Sequence, residues 1–162
     1  MPHLRFDTVL GPCVIYWESD QLTGFALLPD DPSDEATAPP PEWIVRIASR
    51  VRAHLAGAPE DFSALPYAWH TVSDFQRQVY EAALRVKSGH TATYGDLAHA
   101  IGQGPAAARA VGTALGQNPW PLLVPCHRFV GAGGKMTGFS APGGVQTKLR
   151  LLAIEGNQLF AD

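Results

Sequence analysis

The chain has 162 residues, 46% hydrophobic and 17% charged, an ordinary composition for a folded soluble protein with its own core. No apolar run is long enough to span a bilayer, and Met1-Pro2-His3-Leu4-Arg5 lacks the apolar stretch of a signal peptide, so a cytoplasmic protein without membrane association is expected. The formal charge of −3 argues against a polyanionic partner until it is divided along the chain: residues 1–70 hold 4 Lys and Arg against 10 Asp and Glu, a balance of −6, whereas residues 71–162 hold 8 against 5, a balance of +3.

The first half reads as a small α/β unit. Cys13-Val14-Ile15-Tyr16-Trp17 and Gly24-Phe25-Ala26-Leu27-Leu28 are β-rich runs joined through Ser19-Asp20-Gln21, which predicts a hairpin. Residues 29–41 are acidic and hold five prolines, the composition of a solvated loop. Pro41 suits the first turn of a helix on which Ile44, Ile47, Ala48, Val51 and Leu55 recur at helical spacing until Gly57. Residues 58–72 then read as a linker, with a domain boundary near Thr71.

The second half is richer in helix signals. Ser73-Asp74-Phe75-Gln76 has the form of a capping box, and Phe75, Val79, Ala82, Ala83 and Val86 form the stripe of a helix expected to run to Gly89. Thr93 caps a short helix carrying Tyr94, Leu97, Ala98 and Ile101, and Pro105 opens another that runs through Ala108-Arg109-Ala110-Val111-Gly112 to Gly116. Two helices separated by Gly102-Gln103-Gly104 predict a helix-turn-helix. The exposed residues of the second are nearly all Ala or Gly, a smooth face with Arg109 as its single long probe.

Leu122-Leu123-Val124 is expected to run extended and buried into Pro125, which disfavours a helical residue before it. Cys126 follows, between that proline and His127-Arg128. A free thiol has a pKa of about 8.5 and needs a base or a positive partner to become a nucleophile, and both types stand next to it. The stretch alone leaves a protease, a redox sensor and a buried structural thiol open. Further on, Gly131 to Gly134 would close a hairpin wing between Phe129-Val130 and Met136-Thr137, and the last helix would turn Val145, Leu149, Leu152 and Ala153 inward. Glu155 in that helix's final turn opposes the helix dipole, a placement that invites a reason.

Thr93-Tyr94-Gly95-Asp96-Leu97-Ala98, Ala108-Arg109-Ala110-Val111-Gly112, Asn118-Pro119 and Pro125-Cys126-His127-Arg128, followed in order by Gly143-Gly144-Val145, Lys148, Leu151-Leu152 and Glu155-Gly156, resemble the O6-alkylguanine-DNA alkyltransferases, also called methylated-DNA-protein-cysteine methyltransferases. The resemblance covers residues 73–156. It implies an α/β (α+β) protein, with a small N-terminal α/β domain over 1–70 and a winged helix-turn-helix domain over 71–162. The implied activity is a single, irreversible transfer of an alkyl group from O6 of guanine in double-stranded DNA to Cys126, by a monomer that uses no cofactor.

By the same resemblance His127 would act as base through a water, Glu155 would orient it, and Asn118 would hold the turn. Tyr94, Arg109, Ala108, Ala110, Gly112 and Arg128 would meet DNA, with Arg109 filling the gap left by a flipped nucleotide. Tyr94, Pro121, Phe129 and Ser140 would line the base pocket, the backbone carbonyls of Cys126 and Phe129 accepting from the guanine amine. The family often follows an aromatic and a small residue directly with two glycines, whereas here Ala141-Pro142 stand between Phe139-Ser140 and Gly143-Gly144. Cys13, His3, His54 and His70 show no chelating spacing, so no metal is expected. The alternatives are a non-catalytic lesion sensor, which would have lost the cysteine, and a cysteine hydrolase, which would need an oxyanion-binding motif.

Overall fold

A computed structural model describes residues 2–29, 39–139 and 141–157, and most of the acidic loop expected over 29–41 lies outside them. The fold is mixed α/β. Strands β1 (His3–Thr8), β2 (Gly11–Glu18) and β3 (Gln21–Leu27) form an antiparallel sheet in that order, so the expected hairpin is present with one strand more. β1 pairs Phe6 with Cys13 and Leu4 with Ile15. Only two apolar residues alternate with charged Arg5 and Asp7 in it, too short a pattern to stand out in the sequence. Cys13, Ile15 and Trp17 of β2 enter the core with Phe6, Leu22, Phe25 and Leu27.

Helix α1 (Glu42–Leu55) starts after Pro41 and buries Ile44, Ile47, Ala48, Val51 and Leu55 as expected, together with His54. α2 (Asp74–Ala83) has the full capping box, Ser73 Oγ accepting from the Gln76 N–H while the Gln76 side chain accepts from the Ser73 N–H. It ends at Ala83 rather than Gly89. Arg85 and Val86 switch to tighter bonds with the Ala82 and Ala83 carbonyls, and the Val86 carbonyl is left to accept from Arg128.

β4 (Ala92–Thr93) leads into α3 (Tyr94–Ala100), whose capping box joins Thr93 and Asp96. Gly102 ends it at φ +78, a left-handed conformation in which a Cβ would be strained. A 3₁₀ turn over Pro105–Ala107 enters α4 (Ala108–Gly116), which buries Val111, Ala114 and Leu115. Tyr80 of α2 donates to the Ala114 carbonyl at 2.6 Å and fixes α4 against its neighbour.

The apolar stretch before Cys126 departs from the expected extended run. Pro121–Val124 is a tight turn closed by the Val124 N–H on the Trp120 carbonyl, with Leu122 at φ +79. Asn118 makes the turn: its Oδ1 accepts from the Trp120 N–H and its Nδ2 donates to the Val124 carbonyl, each at 2.9 Å. Trp120, fully buried, joins the two halves of the chain. Its Nε1 donates to the Leu22 carbonyl at 3.0 Å, and its ring meets Tyr67 at 5.0 Å, Trp69 at 5.5 Å and Tyr80 at 6.2 Å.

β5 (Phe129–Val130) pairs in parallel with β4 instead of forming a hairpin with Met136-Thr137. Gly133, at φ +72, lets the chain turn back so that the Gly131 N–H closes on the Lys135 carbonyl, and Thr137 then faces Lys148 and Tyr94. In α5 (Val145–Ile154) the buried residues are Thr147, Lys148, Leu151 and Leu152, while Val145 and Leu149 are half-buried and Ala153 is exposed. The expected face is rotated because the lysine amine is inside, donating to the Phe129 carbonyl at 2.6 Å.

Trp120→Ala removes the ring shared by both halves and is expected to cost about 3–5 kcal/mol. Urea unfolding followed by tryptophan fluorescence and by circular dichroism measures it.

Candidate functional site

Cys126 opens a 3₁₀ turn over Cys126–Arg128, set by Pro125 and by its own N–H on the Val124 carbonyl at 2.8 Å. At 6% exposure it faces a cavity of about 210 Å³ lined also by Tyr94, Gly112, Leu115, Gly116, Gly138 and Phe139. Burial pushes its thiol up, opposed by a hydrogen bond from Asn118 and by the charge of Lys148. The other cysteine, Cys13, lies in the core under β1 and β3, its thiol pushed up to about 12 by burial. Cys126, by contrast, lines the cavity.

His127 is fully buried. Its Nε2 lies 2.9 Å from Glu155 Oε2, and its Nδ1 has no hydrogen-bond partner in the protein. A carboxylate only accepts, so Nε2 carries the proton and Nδ1 keeps a free lone pair. Burial lowers the pKa of His127, against the raising effect of Glu155, so the ring is a neutral base near pH 7.

The Glu155 side chain is 1% exposed and takes four hydrogen bonds. Arg128 donates Nε to Oε1 at 2.9 Å and Nη2 to Oε2 at 2.8 Å, while His127 and His54 reach Oε2 at 2.9 and 2.8 Å. Burial alone would raise its pKa, but the bonds from His127, His54 and Arg128 hold it well below the usual carboxylate range. The carboxylate at the end of α5 is thus explained by the Arg128 guanidinium and the imidazole N–H groups beneath it, which outweigh the helix dipole.

Tyr94 lines the cavity, and its hydroxyl shares a short hydrogen bond with Thr137 Oγ1. Lys148 Nζ donates to that same Oγ1 at 3.3 Å as well as to Phe129. Burial lowers the pKa of Lys148, opposed by the nearby Cys126. On α4, Arg109 and Ala110 are exposed and Ala108 and Gly112 half-buried, with Arg109 in no ion pair among the described residues.

One expectation changes. Arg128, placed at DNA from the sequence, is 6% exposed and committed to Glu155 and the Val86 carbonyl, because a buried carboxylate holds a guanidinium more strongly than solvent would. Pro121 lines an adjoining recess with Pro119, Phe25 and Pro142, which shares Gly116 with the Cys126 cavity. Phe129 is fully buried, and its carbonyl accepts from Lys148 with one of its two lone pairs. Ser140 lies outside the described residues. Ala141-Pro142 packs back on α5, Ala141 buried and the Pro142 carbonyl accepting from Thr147 Oγ1 at 2.6 Å.

His54, Thr137 and Phe139 were not read as site residues from sequence. His54 carried a signal: it is a polar residue seven positions after Ile47, inside the apolar stripe of α1. Among the described residues no group of three His, Cys, Asp or Glu is arranged to hold a metal ion, and no helix is long and apolar enough to cross a membrane.

Residues 74–157 match the family model described as the 6-O-methylguanine DNA methyltransferase DNA-binding domain. The chain is 37% identical over 165 residues to the methylated-DNA–protein-cysteine methyltransferase of Mycobacterium tuberculosis, covering 100% of this chain and 97% of that one, and 34% identical to its Mycobacterium leprae counterpart over 99% and 96%. This chain belongs to the methylated-DNA–protein-cysteine methyltransferase family. Solved structures agree: the Mycobacterium tuberculosis OGT in complex with DNA superimposes with a TM-score of 0.79 at 33% identity, covering 94% of this chain and 92% of that one. An O6-methylguanine-DNA methyltransferase from the archaeon Pyrococcus kodakaraensis gives 0.71 at 27%, covering 95% and 99%. Within this methyltransferase the matched domain holds Cys126, His127, Arg128 and Glu155, whereas His54 lies outside it.

Glu155→Ala strands Arg128 in the interior and should destabilise the protein by about 3–5 kcal/mol in urea unfolding. Acid has a related effect. His127 has a lowered folded pKa, so the unfolded chain protonates first and stability falls as pH drops below about 6.5. The depressed Glu155 adds its loss below about 4.3. Unfolding midpoints between pH 7.5 and 5 should decline in the wild type and less steeply in His127→Gln.

Proposed function

We propose that the protein repairs O6-alkylguanine in double-stranded DNA by moving the alkyl group irreversibly to Sγ of Cys126. The observation that carries this reading is a thiol at the wall of a cavity, held next to a buried neutral imidazole whose free Nδ1 is opposite a carboxylate-bound Nε2–H. His127 Nδ1 takes the thiol proton, through a water, and the sulfur attacks the alkyl carbon. The C–S bond forms as the C–O6 bond breaks, its electron pair returns to the guanine, and the proton taken up by His127 is given back to neutralise that base, leaving the thioether on Cys126. Glu155 stabilises the imidazolium formed on the way, and Asn118 and Lys148 favour the thiolate.

The cavity opens beside α4. Its Ala108, Ala110 and Gly112 offer no bulk, which suits a minor groove only about 6 Å wide, and Arg109 is free to enter the stack when the damaged nucleotide leaves it. Tyr94, fixed by Thr137, presents its ring to the base, and Ser140 is assigned to the O6 edge through the family pattern. Arg128 is reassigned to holding Glu155. The protein is assigned as a monomer, and a reaction that needs a reduced thiol suits the cytoplasm. Residues 1–70 and 71–162 are taken as the two domains.

One equivalent of methyl should appear on the Cys126 peptide after incubation with an O6-methylguanine duplex, by intact mass and peptide mapping, and none in Cys126→Ala. Binding without mass gain would make the protein a lesion sensor, and turnover beyond one equivalent a hydrolase. Arg109→Ala should slow transfer from duplex about tenfold or more, ~1.4 kcal/mol, and leave transfer from the free O6-alkylguanine base unchanged in single-turnover kinetics.

A further inference from the structure

Helix α1 reaches the buried carboxylate of Glu155 through the side chain of His54. His54 sits near the end of α1, 101 residues from Glu155 in sequence, and is 2% exposed. Its two nitrogens face different partners. Nδ1 accepts from the Glu60 N–H at 3.1 Å, and Nε2 lies 2.8 Å from Glu155 Oε2. A nitrogen that accepts from a backbone N–H carries no proton, so the His54 proton is on Nε2 and is donated to the carboxylate. The ring is held edge-on to Phe62, centroids 5.6 Å apart. His54 thus has one tautomer and one orientation, both fixed by the first half of the chain.

His54 and His127 donate to the same oxygen. An oxygen that already receives bonds from His54 and Arg128 has less negative charge to offer His127, and it cannot swing toward either ring without losing the other. Building on the alkyl-transfer reading, we propose that His54 is a positioning residue of the reaction: it pins Glu155 Oε2 beneath His127 and limits how strongly the carboxylate holds a second proton on that ring. The N-terminal half therefore takes part in setting the base.

The other charged groups around the pair are Arg128 on the Cys126 turn and Glu60, whose carboxylate is engaged by Arg50 at 2.6 Å. Asp61 and Lys87, paired at 2.9 Å, line the recess that Arg128 also borders. None of these donates to Oε2 in place of His54 except Arg128, which is present in every variant below.

The test compares full-length wild type, His54→Ala and His54→Gln in two measurements. One is an NMR titration of the His127 imidazole without DNA. The other is the pH dependence of single-turnover transfer from an O6-methylguanine duplex. In His54→Ala the His127 titration and the acid limb of the rate profile should both move up, by about one pH unit. In His54→Gln, whose terminal NH₂ can replace the Nε2–H donor, both should return toward wild type. A defect of packing alone lowers the rate at all pH values without moving the midpoint.

Coincident His127 titrations in wild type and a folded His54→Ala would overturn the proposal. So would a wild-type His54 found with its proton on Nδ1, an observation that needs no variant to fold. Failure of the wild type to accept a methyl group would sink the alkyl-transfer reading instead, while the imidazole titration would still decide the role of His54.

Discussion

A single ionised carboxylate, nearly out of contact with water, holds together parts of the chain that are far apart in sequence. Glu155 at the end of α5 is bound by Arg128 and His127 from the Cys126 turn and by His54 from α1. Such a group is tolerated in the interior only if its lone pairs are filled, because an uncompensated buried charge costs several kcal/mol. Satisfying it forces Arg128 inward, turns His127 so that Nδ1 is free, and fixes the distance from α1 to α5. The electrostatic requirement and the chemical one are met by the same set of bonds.

The sulfur is treated in the opposite way. Cys126 is buried without a dedicated ion pair, so the thiol is favoured at rest, and the forces toward thiolate are the hydrogen bond from Asn118 and the more distant charge of Lys148. A resting thiol reacts slowly with adventitious electrophiles. Activation then depends on His127, whose own pKa is lowered by burial so that it is unprotonated and able to accept. Burial thus disfavours the charged form of both side chains, the thiolate of Cys126 and the imidazolium of His127. On the proposed reaction, that suits a cysteine used once.

Much of the second half was legible because its signals are local. Ser73 with Gln76, Thr93 with the following helix, the Ala and Gly face of α4 and the Pro-Cys-His-Arg word each occupy a few adjacent positions. What escaped depends on partners distant in sequence. Arg128 looked like a surface cation because its acceptor is 27 residues away, and His54 looked incidental because its acceptor is 101 away. Lys148 rotated the reading of α5, since a lysine is assigned outward by default and this one finds carbonyl and hydroxyl acceptors inside. The extended run predicted over Leu122 to Val124 failed for a similar reason: the side chain of Asn118 closes the turn, and apolar residues alone do not reveal it.

The three residues of the Cys126 turn divide between two destinations, Cys126 toward the cavity and both His127 and Arg128 toward Glu155. The proposed nucleophile and base and the structural cation are therefore successive letters of one short word, with no spacer in which a change of length could be absorbed. Adding or removing a single residue there would change the register of all three at once. Divergence of this protein can proceed by exchanging loops on either side, such as the Ala141-Pro142 segment, but the word itself has a reading frame.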